Sequence, residues 1–82
     1  IREGRFPYPP NAPWGPGEAY VRLLVIIDTD GRVSVERTVD YSHREFVEPA
    51  RQMAAGSRFS TPLRNGEPVR SRYEWPIRIP LR

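Results

Sequence analysis

Where proline sits decides what this chain can fold into. Proline has no backbone N–H and a fixed φ, so it stops helices and is kept out of the middle of sheets. The sequence holds ten prolines in 82 residues, five of them in "FPYPPNAPWGPG" at 6–17. Neither a long helix nor a central strand runs there. The stretch reads as an extended arm with turns across the surface, with Tyr8 and Trp14 packed onto the domain edge. Two further prolines, Pro76 and Pro80, interrupt the alternating run "RSRYEWPIRIPLR". In that run Tyr73, Trp75, Ile77, Ile79 and Leu81 share one face, and Arg72, Glu74, Pro76, Arg78 and Pro80 the other, as in a strand. Amides of alternate strand residues point to the same edge. The donors missing at Pro76 and Pro80 therefore lie on one edge, while Trp75, Ile77 and Ile79 keep theirs for the other. The closing strand is expected at the rim of its sheet, its prolines turned outward. Such an edge is blunted against indiscriminate pairing. Its carbonyls and the Arg78 amide can still receive a matched extended peptide. Plain protection and peptide docking both remain open on this evidence.

Upstream, "AYVRLLVII" at 19–27 places Val21, Leu23, Val25 and Ile27 on one face and Tyr20, Arg22, Leu24 and Ile26 on the other. β-Branched residues at period two favour a strand. "RVSVERTV" then reads as a second, half-buried strand, with Val33, Val35, Arg37 and Val39 on one face and Ser34, Glu36 and Thr38 on the other. Between the two lies "DTDGRV". A calcium loop starting at Asp28 would need glycine at its sixth position and glutamate at its twelfth; this chain has Val33 and Val39 there. The stretch is instead a hairpin hinge. Gly31 takes the left-handed position, and Asp28 and Asp30 accept hydrogen bonds from the turn's own amides.

"SHREFVEPARQMAAG" at 42–56 changes to helical spacing through Phe46, Val47, Ala50, Met53 and Ala54. Ser42, with Glu45 three residues on, matches a capping box. Pro49 is tolerated only in a first turn, so the regular helix starts near Val47 or Glu48 and Gly56 ends it. Phe59 follows as an anchor to the core, and "PLRNGEPV" at 62–69 is a polar turn around Asn65-Gly66.

The domain read from this pattern is α+β: a three-stranded antiparallel sheet with one short helix packed on one face, in the order β-β-α-β. A proline-rich arm, 1–18, precedes a domain at 19–82. No apolar run approaches the ~18 residues of a membrane helix. The chain begins at Ile1 and reads as a piece of a longer one. It has no cysteine, so disulfides and thiolate zinc sites are excluded. The net charge is +3, and all thirteen basic residues are arginine, spread from Arg2 to Arg82. A nucleic-acid surface would cluster them, so no nucleic-acid partner is expected. His43 is the one histidine, expected to be solvated or capping rather than paired with Ser42 as base and nucleophile. No phosphate loop, metal spacing or acid–base pair is evident. No enzyme activity, cofactor or metal is expected.

Taken in order, these pieces resemble the C-terminal domain of TonB-family proteins. The matching pieces are Tyr8-Pro9 with Ala12, Asp28 to Val33, Phe59 with Pro62, Asn65-Gly66-Glu67-Pro68-Val69, and Trp75-Pro76-Ile77-Arg78-Ile79. The resemblance spans roughly residues 7 to 81. It departs from the family pattern at Pro13 and Pro16, at Ala19 in place of glycine, at Pro49, and at Ser57 where an aromatic is common. It implies a periplasmic domain of an inner-membrane-anchored protein of a Gram-negative bacterium, driven by an ExbB–ExbD-like motor. Its partner would be the "TonB box" peptide of an outer-membrane transporter for iron-siderophore complexes, haem or vitamin B12. That peptide would add beside the last strand. Carried onto this chain, the partner-binding residues are Arg72, Tyr73, Glu74, Trp75, Pro76, Ile77, Arg78 and Ile79, with Arg5, Phe6, Pro7 and Tyr8 as a second region. Arg72, Glu74 and Arg78 would tune specificity by charge. Strand exchange into a homodimer is a further option. The competing readings are an envelope assembly module without energy transduction and a small basic nucleic-acid binder.

Overall fold

A computed structural model of the chain describes residues 4–10 and 15–81. Strand β1 (Glu18–Ile27) leads through a hairpin to β2 (Val33–Tyr41). A single 3₁₀ turn, Arg44–Phe46, then runs into helix α1 (Val47–Ala55). A short ribbon of β3 (Leu63–Arg64) and β4 (Glu67–Pro68) precedes the long final strand β5 (Ser71–Pro80). The main sheet has the order β2-β1-β5, antiparallel throughout. The expected β-β-α-β order is present, with the ribbon as an addition.

Period-two patterning builds the core. Val21, Leu23 and Val25 of β1 are fully buried, and Trp75, Ile77 and Ile79 of β5 lie beside them. Phe46, Ala50, Met53 and Ala54 cover that face from the helix side. Pro49 is the third residue of α1, where its missing N–H belongs to the first turn and has no intrahelical partner to lose. The hinge closes as expected at Gly31, whose φ of 83° is left-handed. Its N–H donates to the Asp28 carbonyl at 2.9 Å, and the Arg32 amide donates to Asp30 Oδ1 at 3.0 Å. Asp28 differs from expectation: its carboxylate faces Arg70 at 3.8 Å.

Two other expectations fail for identifiable reasons, and the turn at Asn65-Gly66 is met. Arg22 pairs with Asp40, but Leu23 with Thr38; Leu24 pairs with Arg37, but Val25 with Val35. Val39 and Glu36 are thus extra residues in two bulges, and each bulge shifts the alternation by one. Thr38 turns inward and accepts a hydrogen bond from Arg51 Nη1 at 3.1 Å, while Val39, placed on the inner face by simple alternation, is 38% exposed. The capping box does not form. Ser42 Oγ instead accepts the Tyr20 amide at 2.9 Å, because β2 runs on to Tyr41 and delivers Ser42 to β1. The polar turn at 62–69 is a regular two-residue hairpin, with Asn65 at φ 52° and Gly66 at φ 81° between β3 and β4, the geometry favoured by Asn-Gly.

Candidate functional site

Both outer strands of the sheet have an unpaired edge among the described residues, and the two edges differ. The β2 edge carries two bulges, which twist it and break its ladder. β5 pairs with β1 without a shift over ten residues, from Glu18↔Pro80 to Ile27↔Ser71. Just beyond it the Leu81 amide donates to the Gly17 carbonyl at 3.1 Å. With that register, the amides and carbonyls of Tyr73, Trp75, Ile77 and Ile79 face β1, and those of Arg72, Glu74, Pro76, Arg78 and Pro80 face outward. Pro76 and Pro80 therefore cost the ladder nothing. The outer edge keeps the donors of Arg72, Glu74 and Arg78 and a run of carbonyls.

Beside this edge lies a shallow cleft of about 340 Å³. Its floor is β5 from Trp75 to Pro80, Met53 of α1 contributes one side, and Phe6 and Tyr8 of the arm form the far wall. The arm is held by aromatic packing. The rings of Phe6 and Tyr8 meet at 5.0 Å, and each lies about 6 Å from Phe46. Tyr8 also donates its hydroxyl to the Pro80 carbonyl at 2.7 Å, on the outer edge of β5. Two stretches seventy residues apart in sequence thus form adjacent surfaces. Within the arm, Phe6 and Tyr8 turn inward, and Arg5 and Pro7 face solvent. Trp14, Pro13 and Ala12 lie outside the described residues.

The residues singled out on β5 divide between its two faces. Trp75, Ile77 and Ile79 are buried toward the helix, and Tyr73 is 41% exposed with its ring against Phe59 at 5.8 Å. Arg72, Glu74 and Arg78 stand on the open face, in ion pairs with Glu36 (3.1 Å), Arg22 (3.4 Å) and Glu18 (3.8 Å). These long side chains lie across the sheet face that carries the half-buried Leu24 and Ile26. On the same strand Tyr20 donates its hydroxyl to Asp40 Oδ2 at 3.1 Å; that bond and the carboxylate's charge raise its phenol above the ordinary value of 10.0. A strand added to β5 would place alternate side chains in the apolar cleft and over this charged face.

Sequence reasoning did not assign Met53 to the site, because its helical spacing reads simply as core. Pro80, one residue beyond the 72–79 stretch expected to bind a partner, also lines the cleft and accepts the Tyr8 hydroxyl. His43 is half-buried, its ring 6.0 Å from Phe46 and its Nδ1 2.8 Å from Ser42 Oγ. The expected capping role is met by its backbone: His43 is the N-cap of the 3₁₀ turn, its carbonyl accepting the Phe46 amide at 3.1 Å, with no side-chain cap bond. Ser42 Oγ is already engaged by the Tyr20 backbone, which gives the contact a structural function.

The family model for the Gram-negative bacterial TonB protein C-terminal matches residues 5–79. The chain belongs to the TonB C-terminal domain family. The match takes in the arm from Arg5 as well as the sheet up to Ile79. TonB C-terminal domains form a periplasmic, Gram-negative family of non-enzymatic interaction domains associated with outer-membrane transporters. Comparison with curated proteins and with solved structures gave no match.

Proposed function

We propose that this TonB-like domain binds the TonB box of an outer-membrane transporter by β-augmentation on the outer edge of β5. One observation carries the reading: a straight, regular edge, open on its outer side among the described residues, borders a cleft walled by the arm. An extended peptide gains main-chain hydrogen bonds from Arg72, Glu74 and Arg78 and from the intervening carbonyls. It also seats alternate side chains between β5 and Phe6–Tyr8. Each bond is worth only ~1 kcal/mol net, but bonds aligned across a strand load together, which suits a domain that transmits pull. In this reading the domain belongs to an inner-membrane-anchored transducer coupled to an ExbB–ExbD-like motor. The cargo is an iron-siderophore complex, haem or vitamin B12. A second copy exchanging strands would compete for the same edge.

The test is a titration of isotope-labelled domain with TonB-box peptides from the same genome. The expected result is amide shifts confined to 72–80 and to the Arg5–Tyr8 arm. Absence of shifts at millimolar peptide would overturn the reading in favour of an assembly module. Binding of nucleic acid that weakens steeply with salt would favour the basic-surface alternative.

A further inference from the structure

The arm forms the cleft's wall through the packing of Phe6 and Tyr8 on Phe46, and hydrogen bonds tie it down at both ends of that packing. Tyr8 reaches the Pro80 carbonyl, which lies on the edge that an incoming strand would share. The other attachment lies at the C-terminal end of α1, outside the cleft's lining. Ser57 is 0% exposed, the one buried polar side chain among the described residues. Its hydroxyl donates to the Met53 carbonyl at 2.8 Å and accepts the Gly4 amide at 2.8 Å. The arm thus crosses the C-terminal end of α1 at Gly4, against Gly56. A Cβ on Gly4 would overlap the Met53 carbonyl oxygen and come within 3.0 Å of the Gly56 carbonyl carbon. Gly4 is needed there for space alone, and Ser57 holds its amide.

We infer that Gly4 and Ser57 are positioning residues that pin the arm across the end of α1, so that Phe6 and Tyr8 stand at the right distance from β5 to grip an occupant. This rests on the peptide-docking reading above. Neither residue lines the cleft. When an added strand shares the Pro80 carbonyl, the pin at Gly4 keeps the wall in place. Removing the pin leaves the sheet and the edge of β5 in place and takes away the wall; Ser57→Ala also frees the Met53 carbonyl at the end of α1, a bond that Gly4→Ala keeps.

The experiment compares the chain with Ser57→Ala, which deletes the hydroxyl, and Gly4→Ala, which pushes the arm off its crossing. The probe is a blocked heptapeptide alternating threonine and valine, titrated by NMR. In both variants the contacts between the Phe6 and Tyr8 rings and Phe46 are expected to disappear, while the amides of 21–25, Trp75, Ile77 and Ile79 keep their exchange protection. The dissociation constant for the peptide should rise about tenfold. Rings that stay on Phe46 in both variants, or an arm that leaves with no change in affinity, would overturn the pin. A parent chain that ignores the peptide would sink the docking reading and the pin's role with it. A parent and variants that bind equally would sink the pin alone.

Discussion

Gly31 shows how much one backbone position can decide. Its φ of 83° requires a residue without side-chain strain, and a Cβ there would collide with the Phe59 carbonyl. Gly31 also accepts the Phe59 amide at 3.0 Å, so the hairpin hinge and the segment after α1 are joined at this point. Gly66 has a similar φ of 81°, but a Cβ there meets nothing within 4 Å. Replacing Gly31 by alanine therefore combines the left-handed backbone cost with overpacking, about 2–4 kcal/mol together. Urea unfolding of Gly31→Ala should show a midpoint lowered accordingly. An unchanged midpoint would mean that Phe59 can move away without cost.

For a strand, parity separates folding from binding. The Ile77 amide faces β1 opposite Val21, and its side chain is 5% exposed; the Arg78 amide faces outward, and its ion pair with Glu18 spans 3.8 Å at the surface. Ile77→Pro should cost about 4 kcal/mol or more through the lost ladder bond and the lost core side chain. Arg78→Pro should cost under about 1 kcal/mol, since proline is accommodated on an outer edge and exposed ion pairs contribute little. Thermal unfolding measures the first difference. The same unfolding measures the second, and peptide titration adds a check on docking, because Arg78→Pro removes a donor that a docked strand would use. A strongly destabilised Arg78→Pro variant would contradict the assigned register.

Across the whole molecule, burial does the holding. The ion pairs found among the described residues are all at the surface, where each is worth ~0–1 kcal/mol and is screened by salt. Raising sodium chloride from about 0.05 to about 1 M should therefore move the unfolding free energy by less than about 1 kcal/mol; a loss of several would show that charge holds the fold. The same dominance of burial explains what could be read from the letters. Val21 to Val25, Trp75 to Ile79 and Ala50 to Ala54 announce their buried faces through period, and Pro76 and Pro80 announce an edge through parity. Glu36 and Val39 give no such sign, since a bulge is a choice of register between strands and not a property of either. Ser57 and Gly4 were equally silent, because their bond joins positions 53 residues apart. Met53 looks the same whether it only fills a core or also borders a cleft. The division of β5 into inward and outward amides has one more consequence. If a peptide docks on β5 as proposed, substitutions at its outward-facing even-numbered positions would retune what the domain holds, while Trp75, Ile77 and Ile79 also answer to its architecture. On that reading a lineage could change clients by drift at 72, 74 and 78 without renegotiating how the chain folds.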